Sequence, residues 1–449
     1  MLFFSSFVLG YCGLILIIDS GVVSMSIKVR LAILNFFHMG AWGAYLISMG
    51  NYFVHIGLAN RIGSFYALIG IVSFFTPTIA GIIADRYIQP VRVLGLCHLL
   101  CGLGMLVLFY IGGFPDAGMY YSRMYLVYFF CIACYMGSYS LVLSVSYTLL
   151  EQEHLDTVKH FPSIRVFGSI GFVVFMWLTD LFNFEATEKQ FMLSGIVSLV
   201  FFLYTFTLPV CEQQKQLKHQ TIREMFGLNA FGLFKNKELC IFFIFSALLG
   251  INLQIANAYG TPYLSSFSKM AEYADSFAVK HSNILYSLSQ ISECACLLLI
   301  PFFLKRFGIK AVMLLAMAAW ALRFFFLGAG NPGSGLYLLI LSMVVYGFAF
   351  DFFVISSSIY IDKKAPNNIR SSAQGLFWMM ANGVGSSVGS MFAQSVINMN
   401  TETDGTIDWY PSWMSFSVYA LIICILFFFI FHPKVDESAE NQPDIKASE

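Results

Sequence analysis

The stretch "GIIADRYIQPVR", residues 81–92, decides how this chain is read. It is a charged turn, carrying Asp85, Arg86 and Arg92, between two long apolar runs. A second such turn, "PFFLKRFGIK" at 301–310, sets Lys305-Arg306-Phe307 where the first has Asp85-Arg86-Tyr87. Another pair follows: "PSIRVFGSIG" (162–171) and "NNIRSSAQGL" (367–376) match Ile164-Arg165 with Ile369-Arg370. Counted in apolar runs, the first pair follows runs two and eight and the second follows runs four and ten. Two echoes at the same offset of six imply a duplicated six-helix bundle.

The composition agrees. The chain of 449 residues is 58% hydrophobic, 17% aromatic and 11% charged, whereas a soluble domain carries about 25% charge. Apolar windows long enough to cross a bilayer lie near 30–54, 62–84, 93–113, 119–148, 163–183, 189–211, 237–265, 282–303, 309–329, 335–360, 371–397 and 413–432. Helix is the form that leaves no backbone group unpaired in lipid, so the expected class is an all-α integral membrane protein with twelve transmembrane helices.

The boundaries follow: 25–211 is the first bundle, 212–236 a polar linker with an amphipathic helix in "TIREMFGLNAFGLF", 237–432 the second bundle and 433–449 a polar tail. Residues 1–24 form an apolar extension with no positive n-region. Met25, followed by Lys28 and Arg30, is a natural membrane-protein start, so a mis-assigned start competes with a real extra helix.

With the Met25 end in the cytoplasm, nineteen Lys and Arg fall on that side and five outside, with Arg323 inside a span. That asymmetry matches insertion topology and sets a cytoplasmic C-terminus. The net charge of zero and the lack of a basic patch interleaved with aromatics exclude nucleic acid as a partner. Ten cysteines fall in or beside apolar runs without zinc-like pairing, so they read as packing residues and no metal is expected. No nucleophile with an adjacent base and no phosphate loop points to an enzyme.

Several polar side chains sit inside apolar runs. Glu293, in "YSLSQISECACLLLIPFF" (286–303), is a carboxylate in a lipid-soluble helix, which costs roughly 2.5–3.5 kcal/mol at the bilayer centre and so faces protein or a wet cavity. Gln290 lies three residues before it, on the same face. Gln254 and Asn257 share that spacing on the preceding run, and Tyr346 and Phe350 are one turn apart with Asp351 beside them. Arg165, Ser169 and Phe172 form one stripe on the fifth run. Each has a plainer reading: the amides as interhelical glue, Arg165 as a snorkelling anchor, the rings and Ser169 as packing. Two intramembrane acids are too costly for filler.

Gly81, Asp85, Arg86 and Arg92 resemble the loop signature between the second and third helices of the major facilitator superfamily, departing at Ile88, where that family usually has Gly. The resemblance makes these residues a charged latch that biases two bundle orientations. Longer strings are similar to the nucleoside:proton symporter family within that superfamily: "HFPSIRVFGSIGF", "LFKNKELCIFFIFSALLGINLQIAN", "SLSQISECACLLLIPFFLKRFGIK", "VVYGFAFDFF" and "IRSSAQGLFWMMANG". The similarity runs from Met25 to about Pro433.

It implies the major facilitator fold and proton-driven nucleoside uptake across a bacterial inner membrane, by a monomer that uses no cofactor beyond the proton gradient. It also implies that Arg165, Ser169, Phe172, Gln254, Asn257, Gln290, Glu293, Tyr346 and Phe350 line the substrate site, with Ser169 where the family motif has Thr. A carboxylate and amides suit ribose hydroxyls; rings with an Arg suit a base. Asp351, read as walled by Phe350, Phe352 and Phe353, or Glu293 is the expected proton carrier, with His38, His55 and His98 as rivals. Another polar solute such as a sugar, or a non-transporting nucleoside receptor, remains the alternative.

Overall fold

The computed structural model describes residues 25–211, 228–366 and 370–432. The N-terminal extension, most of the linker, Ile369 and the tail after 432 lie outside these residues.

Apolar composition is realised as helix throughout. The first half holds α1 (Ile27–Gly43), α2 (Met49–His55), α3 (Ile62–Ser73), α4 (Thr76–Arg86), α5 (Pro90–Gly112), α6 (Tyr121–Gln152), α7 (Thr157–Leu181) and α8 (Lys189–Thr205). The second holds α9 (Lys237–Ser266), α10 (Ser282–Leu297), α11 (Ile300–Ala329), α12 (Leu336–Lys364), α13 (Arg370–Trp378), α14 (Gly385–Met399) and α15 (Trp409–Ile430). Among the described residues eight helical runs are long and apolar enough to span a bilayer, of which Ala59–Arg86 is interrupted at 74–75 and Ile300–Ala329 kinks at Gly308. The others are the short α8 and runs that bend partway: α1 turns into α2 at residues 44–48, α10 passes into α11 at 298–299, and a π-helical stretch, Met379–Val384, joins α13 to α14. Taken together they make the twelve expected spans. The linker's described part, Leu228–Lys235, is a 3-10 turn rather than α-helix. It leads into α9, whose N-cap Asn236 accepts from the amides of Glu238 and Leu239 at 3.0 and 3.3 Å.

Helix pairing repeats with an offset of six spans. In the first half α1 packs on α7, α5 on α6 and α8, and α3 and α4 on α6. In the second half α9 packs on α14, α11 on α12 and α15, and α10 on α12. The contacts between halves obey the same relation, α3 with α14 and α7 with α10.

The duplicated loops differ in one physical detail. Gly308 stands where the first half has Ile88, and its φ of 76° is in the left-handed region that glycine tolerates. Ile88 takes no positive φ; its amide instead reaches back to the Ile83 carbonyl at 3.0 Å. The first loop therefore closes without a glycine.

Spans alternate in direction, so the α4–α5 turn, the start of α7 and the α12 end share one face, here the basic end. The α7–α8 loop and the start of α10 lie at the far end.

Candidate functional site

At mid-depth, α7 and α10 face each other across the two halves. Arg165, Ser169 and Phe172 come one turn apart on α7, and Gln290 and Glu293 on α10. Arg165 lies within electrostatic range of both Glu293 and Asp351, which also sense one another. The Ser169 hydroxyl meets the Cys294 thiol from the other half. Tyr346 and Phe350 on α12 stack at 5.9 Å, 4° from parallel, and Phe172 meets Trp42 edge-on at 6.4 Å. Gln254 on α9 donates to Ser386 on α14 at 2.8 Å.

Burial is graded. Phe172 and Gln254 are 4% exposed and Asp351 6%; Ser169, Asn257, Gln290, Glu293 and Phe350 are half-buried, and Arg165 is exposed. The cluster is thus reached from the Arg165 side.

Part of its hydrogen-bonding capacity is unspent. The Gln254 carbonyl oxygen and one Asp351 carboxylate oxygen are buried without a protein partner, a state that costs about 1–3 kcal/mol per group unless something binds there. The surroundings of Asp351 differ from the expectation. Its three flanking phenylalanines fan around α12: Phe350 stacks on Tyr346, Phe352 packs on Phe303 and Phe348, and Phe353 faces Phe377. Successive helical side chains point about 100° apart, so sequence neighbours do not form one wall.

The rival histidines are placed elsewhere. His38 and His98 are both buried and share a hydrogen bond of 3.0 Å inside the first half, with Tyr135 stacked on His38 at 4.9 Å; His55 is exposed. In the α4–α5 turn Asp85, Arg86 and Arg92 are exposed, and Asp85 senses the charge of Arg86. Gly81 has open space where a Cβ would stand.

Two features escaped the sequence. One is a clasp at the far end. Helix α7 ends in a Schellman arrangement, with Asn183 at φ 55° and the Phe184 amide bonded to the Thr179 carbonyl. This leaves Asp180 in the last turn, fully buried, where it accepts from His281 Nδ1 (2.6 Å) and from the Asn283 and Ile284 amides (3.1 and 3.2 Å). Asp180 therefore caps α10 from the opposite half of the molecule. Beside it Ser282 donates to Glu185 at 2.6 Å and Trp177 to Ser287 at 2.8 Å. Burial and the Asp180 charge push the Glu185 carboxyl up to about 8, against the pull of Ser282. Asn51 to Ser265 (2.9 Å) and the Gly63 amide to Gln394 (2.7 Å) close the same end. Gly63 matters here because its missing side chain lets α3 approach the Ser390 carbonyl. The second feature is Arg323, fully buried against Tyr346. An arginine in an apolar run was its only sequence signal; the trans cap left none.

Twelve spans in two related bundles, with a polar site between them and one end sealed, define a secondary transporter of the major facilitator type. The nucleoside H+ symporter family model matches residues 25–436, and the chain belongs to that family. It is 43% identical over 411 residues to the xanthosine permease of Escherichia coli, covering 91% of this chain and 96% of that one. It is 40% identical over 415 residues to the nucleoside permease NupG of the same organism, covering 91% and 97%. A crystal structure of NupG superposes with a TM-score of 0.82 at 40% identity, covering 91% of this chain and all of that one. A D-xylose-proton symporter, at 16% identity and a TM-score of 0.63, shares the fold.

Proposed function

We propose that the protein takes up nucleosides together with protons across a bacterial inner membrane by alternating access, as a monomer with its basic end in the cytoplasm. The observation that carries this reading is the convergence of Arg165, Glu293 and Asp351 from both halves, with an Asp351 carboxylate oxygen and the Gln254 carbonyl oxygen left without a protein partner. Glu293, Gln254, Asn257 and Gln290 bind the ribose hydroxyls; Phe172, Tyr346 and Phe350, with Arg165 and Ser169, receive the base. A site whose buried groups are satisfied by each hydroxyl rejects analogues that lack one.

Asp351 or Glu293 carries the proton, and Arg165 is the cation whose approach or retreat favours its release or uptake. The His38–His98 pair is enclosed within one bundle and so is poorly placed to sense the rocking of the two. Bundles at 25–211 and 237–432 rock about the site, with Gly81, Asp85, Arg86 and Arg92 biasing the basic end. The exposed Arg165 side and the clasped far end describe a state open to the cytoplasm. No cofactor is needed, because the proton gradient supplies the work.

Purified protein in proteoliposomes tests this. Labelled uridine and xanthosine should accumulate above equilibrium with an inward proton gradient, and sugars should not compete. Saturable binding without accumulation would make the protein a receptor.

A further inference from the structure

We propose that Arg323 is a positioning residue for the base-binding half of the site: its guanidinium holds the Tyr346 ring and ties together the three helices that present the second-half binding residues. This rests on the site reading given above.

Arg323 is fully buried in α11, and among the described residues no carboxylate pairs with it. One terminal nitrogen donates to Ser289 Oγ (3.2 Å) and to the Ser342 carbonyl (3.0 Å), and the other to the Tyr286 hydroxyl (2.9 Å). Ser342 returns a bond to the Arg323 carbonyl at 3.1 Å. The guanidinium carbon lies 4.6 Å from the Tyr346 ring centre, 5.3 Å from Tyr286 and 6.0 Å from Trp320. Aromatic faces attract a desolvated cation, and a planar, weakly hydrated fork suits several fixed acceptors at once in a way an ammonium does not.

What the fork touches is the argument. Ser289 directly precedes Gln290 on α10. Tyr286 passes the link on, donating to the Ala256 carbonyl at 2.6 Å, next to Asn257 on α9. On α12 the contact is Tyr346 itself, stacked in turn on Phe350. Of the binding residues the guanidinium meets Tyr346 directly, and it anchors the helices that carry Gln290 and Asn257 through Ser289 and through Tyr286 on the Ala256 carbonyl. The positive charge behind the ring also fixes its tilt, and hence the plane offered to a base.

The test compares Arg323→Lys, Tyr286→Phe and Tyr346→Ala in reconstituted uptake and in calorimetric nucleoside binding. Arg323→Lys and Tyr286→Phe should each raise KM about ten-fold, with the saturated rate within about two-fold and the pH profile unmoved. Discrimination among base-modified nucleosides should relax while discrimination against deoxyribose persists. In the Tyr346→Ala background, Arg323→Lys should add less than about two-fold, because its effect runs through that ring. Unchanged KM and base selectivity, alongside a lowered melting temperature, would make Arg323 a structural staple and overturn the proposal; so would full additivity with Tyr346→Ala. If Arg323→Lys fails to fold, Tyr286→Phe decides alone. Should Tyr346→Ala itself leave binding untouched, the site reading fails instead.

Discussion

Polar groups from the two halves meet in two places, and the places are built on opposite principles. At the far end the acids and the indole are paired: Asp180 takes three hydrogen bonds, Glu185 has Ser282 and Trp177 has Ser287, while the Asn51 and Asn283 carbonyl oxygens keep no partner. At mid-depth Arg165, Glu293 and Asp351 sense one another, yet Gln254 and Asp351 keep buried atoms unpaired. A carboxylate paired as Asp180 is has little to offer a solute and suits holding a closed state. An unsaturated one is costly until a ligand completes it. A buried carboxylate oxygen left unpaired at Asp351, against one fully paired at Asp180, distinguishes the proposed site from the clasp.

The contrast can be broken at four points. The largest effect is expected for Glu293→Ala, which should weaken nucleoside binding by about 10²-fold, the scale of a lost charge-assisted hydrogen bond. Calorimetry with 2′- and 3′-deoxynucleosides checks it, and transport of those analogues just as in the wild type would remove Glu293 from the ribose. Next, Asp351→Asn should abolish accumulation driven by a proton gradient while nucleoside counterflow persists. Retained, uncoupler-sensitive accumulation would assign the proton to Glu293.

At the gate, Asp180→Ala removes a trans cap of about 1–2 kcal/mol and should enrich the far-end-open state about ten-fold. Spin labels on the far ends of α7 and α10 report the distance, and an unchanged distribution would show that the clasp is incidental. The smallest effect concerns pH. The Glu185 carboxyl is raised from 4.5 to about 8 in the closed clasp, so the closed state binds more protons than an opened, hydrated one. Closure is therefore favoured as pH falls and weakened as pH rises through about 8. With Asp180 as its charged neighbour, Glu185→Gln should flatten this dependence of the label distance between pH 6 and 9; an unaltered slope would show that Glu185 does not carry it.

Much of this was legible in the chain. Apolar run lengths gave twelve spans, and the offset of six between the charged turns anticipated the repeated pairing of helices. Sequence ends erred where helices outrun the lipid-soluble core, as α6 does in reaching Gln152, or bend, as at Met379–Val384. The proposed site residues stood out because a lone Glu293 or Asp351 in an apolar run is expensive enough to require a reason. The wall around Asp351 was misread because adjacency in sequence is not adjacency on a helix.

The sequence by itself determined that the chain spans a membrane twelve times, which face its basic residues prefer, and which buried polar groups demanded partners. Those are properties of segments against solvent, and each segment carries them alone. Only the tertiary structure decided that Asp180 caps a helix some hundred residues away, that Arg323 backs the Tyr346 ring, and that the far end is closed while the Arg165 side is open. These depend on how two rigid bundles dock, and hydrogen bonds across that seam exist or vanish with an orientation that no single helix encodes.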